Sequence, residues 1–73
     1  MVVEIDSHVT VRELGTASTY QIVEPHEIDP SSNRISKDSP IARALLGKQV
    51  RDEVVVKAPG GDFKLEIIKI VGG

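Results

Sequence analysis

The densest group of possible metal ligands in this sequence is the acidic stretch from Glu24 to Asp29. It also contains His26 and Glu27, and carboxylate oxygens with an imidazole nitrogen form a ligand set that divalent cations accept. The stretch holds a single imidazole, however, and no second histidine follows nearby. Loops rich in solvated acids need no metal, and we therefore expect neither a metal site nor a cofactor.

A second polar group lies at the start of a predicted helix. Ser39 is a good N-cap because its hydroxyl can accept from an amide of the first turn, and Pro40 suits the first helical position. Asp38 adds a carboxylate near the positive end of the helix dipole, and Arg43 points to the same side. These four residues form an exposed polar corner. Helix capping alone explains the Asp-Ser-Pro start, although capping and partner binding are compatible roles.

Motifs for catalysis are missing from the rest of the sequence. Cysteine is absent, which excludes a thiol nucleophile, a disulfide and a thiolate metal site. There is no His-x-x-x-His or Gly-x-Ser-x-Gly pattern. The Gly60-Gly61 pair opens a strand rather than a helix, which argues against a phosphate site. We expect no enzymatic activity.

Composition indicates one small folded domain. The chain has 73 residues, of which 40% are hydrophobic and 27% are charged, values typical of globular proteins. The net charge of −2 without a run of like charges gives no electrostatic footprint for nucleic acid. No apolar run is long enough to span a bilayer, so we expect a cytoplasmic protein without membrane contact.

The helix that positions the polar corner runs from the Ser39 cap to Gly47, which suits the left-handed position that ends a helix. At 100° per residue, Ile41, Ala44 and Leu45 form one apolar stripe, which must pack on a sheet.

Strands surround this helix in the sequence. Ser7–Leu14 alternates as a half-buried strand, with Val9 and Val11 on the inner face, and turns back into Thr19–Val23. The proline-containing stretch Glu24–Asn33 is predicted as a surface loop.

A hairpin is predicted near the end of the chain. Glu53–Pro59 and Asp62–Val71 flank a two-residue turn at Gly60-Gly61, with both glycines at positive φ. Counting outward from that turn gives the expected register: Ala58 with Phe63, Lys57 with Lys64, Val56 with Leu65, Val54 with Ile67. Adjacent Ile67 and Ile68 change the alternation, which predicts a bulge or burial on both faces.

These elements predict an α+β domain, with a small antiparallel sheet of four or five strands packed on one short helix. We assign residues 7–73 to this domain and residues 1–6 to a short lead or linker.

Three blocks of sequence resemble the carboxy-terminal domain of the bacterial GreA/GreB transcript cleavage factors. They are TYQIVEPHEIDP (Thr19 to Pro30), ISKDSPIARALLGK (Ile35 to Lys48) and DEVVVKAPGG (Asp52 to Gly61). The resemblance implies a sheet curled about a short helix, similar to FKBP-type prolyl isomerases. Arg51 lies where many relatives have a turn glycine, which makes a positive φ there less expected.

The resemblance also implies a function. In this family a coiled coil carries the catalytic acids, which have no counterpart here, and the carboxy-terminal domain binds the β′ subunit of bacterial RNA polymerase at the rim of the secondary channel. The implied polymerase-binding residues are Asp38, Ser39, Pro40 and Arg43. We therefore expect a monomeric docking module of a transcription elongation factor that is non-catalytic by itself and makes no direct sequence-specific contact with nucleic acid.

The alternative is an FKBP-like peptidyl-prolyl isomerase or a chaperone-like domain, which the implied fold suggests. Against it, the sequence offers only two large aromatic residues, Tyr20 and Phe63, and apolar ligand pockets are usually lined by hydrophobic and aromatic side chains. Fold alone does not establish function.

Overall fold

The computed structural model describes residues 1–72, which form a five-stranded sheet and one short α-helix. The elements are β1 (His8–Glu13), β2 (Thr16–Val23), β3 (Arg34–Ser36), α1 (Pro40–Leu45), β4 (Glu53–Ala58) and β5 (Gly61–Val71). The strand order is β3-β2-β1-β5-β4, so β4 forms one edge of the sheet. The predicted α+β class is confirmed. No helix within the described residues is long and apolar enough to cross a membrane.

One strand pair departs from the antiparallel expectation. β3 runs parallel to β2, with Ile22 opposite Ile35, while the other pairs are antiparallel, so the sheet is mixed. The stretch predicted as a loop contains two 3₁₀ helices, Pro25–Glu27 and Pro30–Ser32. These helices carry the chain back alongside β2, which a tight hairpin would not allow. With three residues, β3 is too short to show an alternation in the sequence.

The core lies between the sheet and α1, on the face that the alternation predicted. Its fully buried apolar residues are Val3, Val9, Val11, Ile22, Ala42, Leu45, Val54, Val56, Leu65 and Ile67. The predicted helix stripe packs against the core but is incomplete. Leu45 is buried as expected, but Ala42 is the second fully buried residue of α1, and Ile41 and Ala44 are half-buried against the core. A small side chain at Ala42 lets the helix lie close to the sheet.

The predicted register of the β4–β5 hairpin is wrong by two residues. Val56 lies opposite Phe63 and Lys57 lies opposite Asp62, so the turn consists of Pro59 and Gly60. Proline suits the first turn position because its ring fixes φ near −65°. Of the two glycines, only Gly61 has a positive φ, at 129°. A shift of two residues leaves every side chain on its predicted face.

A bulge interrupts the pairing of β5 with β1, as the adjacent isoleucines predicted. Thr10 lies opposite Lys69, and the next residue, Val11, lies opposite Ile67. Ile68 is therefore the extra residue of the bulge, and it is half-buried, whereas Ile67 is fully buried.

Val3 anchors the first six residues to the domain. Val3 is 1% exposed and belongs to the core. Its backbone N–H donates to the Lys48 carbonyl and its carbonyl accepts from the Gly47 N–H, each at 2.9 Å. The assignment of residues 1–6 to a separate lead stays a prediction.

Arg51 adopts a left-handed conformation despite its side chain. Its φ is 79° and its N–H donates to the Ile67 carbonyl at 2.7 Å, which ties the turn before β4 to β5. The left-handed region costs a non-glycine residue about 1–2 kcal/mol. The sequence-based doubt about a positive φ at this position was therefore wrong.

Replacing Arg51 with glycine should raise the free energy of unfolding by about 0.5–1 kcal/mol. Glycine removes the left-handed strain, and its larger entropy in the unfolded chain offsets part of that gain. Urea unfolding measures the change. The control is Arg51→Ala, which keeps the strain and reports loss of the exposed side chain. Equal stability of the glycine and alanine variants would contradict the strain at Arg51.

Candidate functional site

The start of α1 is fixed by local hydrogen bonds. The Ser39 hydroxyl accepts from the Ala42 N–H at 3.3 Å, and the Ser39 carbonyl accepts from the Arg43 N–H at 2.9 Å. The turn before the helix is held by the Ser36 hydroxyl, which accepts from the Asp38 N–H at 3.0 Å. Pro40 occupies the first helical position. The predicted N-cap is confirmed.

Asp38, Ser39, Pro40 and Arg43 are here called the docking corner. Asp38, Pro40 and Arg43 are exposed, and Ser39 is half-buried because its hydroxyl caps the helix. Among residues 1–72, the ion pairs are Arg12 with Glu66 and Lys37 with Glu24, and neither charge of the docking corner takes part in them. The side chains of Asp38 and Arg43 are thus left open to a partner.

The docking corner continues into an open groove between α1 and β4, here called the α1–β4 groove. It is lined by Pro40, Arg43, Ala44, Val55 and Lys57. Pro40 and Arg43 therefore share one concave surface, whereas Asp38 and Ser39 do not line it. Val55 is 47% exposed, a high value for a valine within a strand.

The chemistry of the α1–β4 groove is apolar with a positive border. Pro40, Ala44 and Val55 supply apolar surface, and Arg43 and Lys57 supply two cations. Arginine and apolar anchors in a concave surface are typical of protein interfaces. The arrangement is suited to binding a protein segment that offers apolar side chains together with carboxylates.

The acidic stretch from Glu24 to Asp29 has local structural roles. The Asp29 carboxylate accepts from the Ser31 hydroxyl at 2.7 Å and from the Ser32 hydroxyl at 3.1 Å. These hydrogen bonds lower the pKa of Asp29 below its usual value, because they favour the charged form. Glu24 pairs with Lys37 at 3.1 Å and raises the pKa of that lysine. Within residues 1–72, no three metal-binding side chains are grouped to hold an ion.

A smaller depression lies over the sheet near the two aromatic residues. Tyr20 and Phe63, both half-buried, line it together with Ile41 and Leu65. Phe63 packs against the core and also borders this depression. This depression is where the isomerase alternative would have to bind a peptide.

Comparison with known proteins decides the family. The family model described as "Transcription elongation factor, GreA/GreB, C-term" matches residues 1–71. This chain belongs to the GreA/GreB family. The match is to the carboxy-terminal domain of these factors, and the comparisons do not favour the isomerase alternative.

Two proteins with similar sequences are members of the same family. Transcription elongation factor GreA from Bacillus licheniformis is 49% identical and that from Bacillus cytotoxicus is 48% identical, each over 71 residues. The matches cover 94% of this chain and 45% of either relative, so the chain spans less than half the length of these proteins.

Solved structures of the family share the fold. Gfh1 from Thermus aquaticus superposes with a TM-score of 0.87 at 31% identity, covering 97% of this chain and 48% of that one. The GreA/GreB factor from Nitrosomonas europaea superposes with a TM-score of 0.79 at 30% identity, covering 96% and 60%.

Sequence reasoning missed the part of this GreA/GreB surface that β4 contributes. The predicted register placed Lys57 opposite Lys64, and no partner on α1 was expected for it. No role was predicted for Val55. The sequence does mark Val55, because it is an apolar residue at a solvent-facing position of an alternating strand, between Glu53 and Lys57.

Proposed function

We propose that this chain is the RNA polymerase-binding module of a bacterial transcription elongation factor and is non-catalytic by itself. It docks on the β′ subunit, at the rim of the secondary channel, through the docking corner and the adjoining α1–β4 groove. The observation that carries the proposal is the exposed helix start, where Asp38, Pro40 and Arg43 lie beside an apolar groove without internal partners in residues 1–72.

The surface is suited to docking in two ways. Its backbone is held by the Ser39 cap and the Ser36 hydroxyl, so binding requires little ordering of the chain. It also combines an apolar anchor, Pro40, with a carboxylate and a guanidinium of opposite charge. Charges of both signs around an apolar centre favour one orientation of the partner over others.

Asp38→Asn and Pro40→Ala should each weaken binding to core RNA polymerase by about tenfold, or ~1.4 kcal/mol, with little change in melting temperature. Asparagine keeps the shape of Asp38 but removes its charge. Alanine is a good helix former, so Pro40→Ala removes an exposed anchor without disrupting α1. Polymerase affinity and thermal unfolding are measured side by side for each variant.

Two surface substitutions elsewhere serve as matched controls. Glu4→Gln removes an exposed carboxylate, and Ile28→Ala removes an exposed apolar side chain. Both should leave the affinity for polymerase unchanged. If the docking-corner variants bind as well as the wild type while the protein remains folded, the Asp-Ser-Pro start is a helix cap and the polymerase site lies elsewhere.

The non-catalytic part of the proposal has its own test. Added alone to backtracked elongation complexes, the chain should not accelerate RNA cleavage. In excess over an intact cleavage factor it should reduce cleavage, because it occupies the same site, and Asp38→Asn should weaken this inhibition. Metal-dependent stimulation of cleavage by the chain alone would overturn this part.

A further inference from the structure

The depression beside Tyr20 and Phe63, here called the aromatic depression, brings together the only two large aromatic residues of the chain. Both are half-buried, whereas Val11 and Leu65 beside them are buried. A partly open aromatic side chain forgoes some of the hydrophobic stabilisation that full burial would give. Aromatic residues are enriched at protein interfaces, and tyrosine is among those that contribute most to binding energy. The placement of the two rings therefore points to a partner that covers them.

The aromatic depression is open because the helix is short. α1 has six residues, so it is about 9 Å long, and it begins at Pro40. Its second residue, Ile41, lines the depression, and the remaining lining comes from β1, β2 and β5. The inner face of the sheet beyond the start of α1 is therefore accessible to another molecule.

The size of the aromatic depression suits one side chain. Its volume is about 130 Å³, and a closed cavity of about 150 Å³ holds one benzene molecule. Sites for drug-sized ligands are larger, at about 300–1,000 Å³. The depression can therefore accept a single apolar side chain, of leucine or isoleucine size, but not several residues of a peptide.

Glu13 places a negative charge at the border of the aromatic depression. It lies at the end of β1, opposite Thr16, and it is exposed. The other lining residues are uncharged: Val11, Thr16, Ser18, Tyr20, Ile41, Phe63 and Leu65. Within residues 1–72, the carboxylate of Glu13 takes part in no ion pair. A lysine or arginine beside the inserted apolar side chain would be complementary to this charge.

The start of α1 connects the aromatic depression to the surface proposed for polymerase. Pro40 lines the α1–β4 groove, and the next residue, Ile41, lines the aromatic depression. The Cα atoms of consecutive residues are about 3.8 Å apart. A partner that covers Pro40 therefore reaches the edge of the aromatic depression as well.

We propose that the aromatic depression is a second contact of the docking surface. It receives one apolar side chain of RNA polymerase, next to a lysine or arginine that pairs with Glu13. This inference rests on the proposed function, because it takes polymerase as the partner. The polymerase segment then carries a cation for Glu13 and carboxylates for Arg43 and Lys57 of the α1–β4 groove. Such a charge pattern fixes the orientation in which the two proteins bind.

Site-specific photo-cross-linking tests the contact directly. Thr16 is exposed and lines the aromatic depression, so p-benzoylphenylalanine at this position should cross-link to core RNA polymerase. The matched control is Ala17, which is also exposed and, as the next residue of β2, points to the other face of the sheet. We expect clearly weaker cross-linking from Ala17. Equal cross-linking from the two positions would indicate random collision and would overturn the inference.

Two substitutions test the chemistry of the contact. Ser18→Leu fills part of the aromatic depression, and Glu13→Lys reverses the charge at its border. Each should weaken binding to core RNA polymerase by about tenfold. Ala17→Leu adds an apolar side chain on the other face, and Glu4→Lys makes the same charge change at another exposed position. Both controls should keep the wild-type affinity, and thermal unfolding verifies that each variant is folded.

The results distinguish this inference from the proposed function. If Asp38→Asn and Pro40→Ala weaken binding while Ser18→Leu and Glu13→Lys do not, the second contact is wrong and the docking corner stands. The opposite pattern would support the second contact and overturn the docking corner. An effect of Ser18→Leu without an effect of Glu13→Lys would overturn the paired cation. Isomerisation of a proline-containing peptide that Ser18→Leu abolishes would make the depression a substrate site and would overturn the inference.

Discussion

Replacing Ile67 with alanine should lower the free energy of unfolding by about 2–5 kcal/mol, a large fraction of the stability of a small domain. Ile67 is 0% exposed and lies in β5, between β1 and β4. Truncation leaves a cavity that the strands on both sides cannot fill, because their backbones are fixed by the sheet. Urea unfolding followed by circular dichroism measures the loss.

The neighbouring residue provides the control. Ile68→Ala removes the same atoms from the half-buried bulge residue and should cost clearly less, about 1 kcal/mol. The sequence shows two adjacent isoleucines and does not tell which one is buried. Equal losses for the two variants would contradict the position of the bulge.

Replacing Val3 with aspartate should destabilise the domain by about 3 kcal/mol or more. Val3 is 1% exposed and belongs to the apolar core, so a carboxylate at this position would be buried among apolar side chains. Thermal unfolding measures the loss, and the milder Val3→Ala, expected to cost about 1–2 kcal/mol, keeps the effect measurable if the aspartate variant does not fold.

Ile5→Asp is the matched control for this test. Ile5 lies two positions further along the same segment but is 37% exposed, so the same charge should cost less than about 1 kcal/mol. If Val3→Asp proves as mild as Ile5→Asp, residues 1–6 are a separable lead, as the sequence predicted. A large difference would place the start of the domain within this segment.

Features specified by adjacent residues could be predicted from the sequence. The N-cap at Ser39, the proline after it and the left-handed Gly47 depend on local geometry, and the structure reproduces each of them. The inner faces of β1 and β4 follow from alternation alone. The docking corner was placed on an exposed helix start for the same reason.

Other features depend on how separate parts of the chain pair with each other, which a local sequence pattern does not determine. A two-residue shift of the hairpin preserves every face, so alternation did not distinguish a turn at Gly60-Gly61 from the observed turn at Pro59-Gly60. The proline was the overlooked signal. The parallel pairing of β3 is set by two 3₁₀ helices and not by the three residues of the strand itself.

The α1–β4 groove shows the same limit for the candidate site. Arg43 and Lys57 belong to different elements, and only the packing of α1 beside β4 brings them to one surface. Residue types identified each cation, but the distance between the two elements was not available from the sequence. Ala42 was missed because a six-residue helix is too short for its stripe to be defined reliably by periodicity.

The pairing of β1 with β5 joins distant parts of the chain, since His8 lies opposite Val71 at the centre of the sheet. Without β5, the sheet separates into β3-β2-β1 and an isolated β4. Long-range pairing of this kind slows folding, because a large loop must close before the contacts form, and we expect refolding in milliseconds to seconds. During synthesis on the ribosome, β1 can pair with β5 only after almost the entire domain has been synthesised. We therefore expect the domain to fold in one late step.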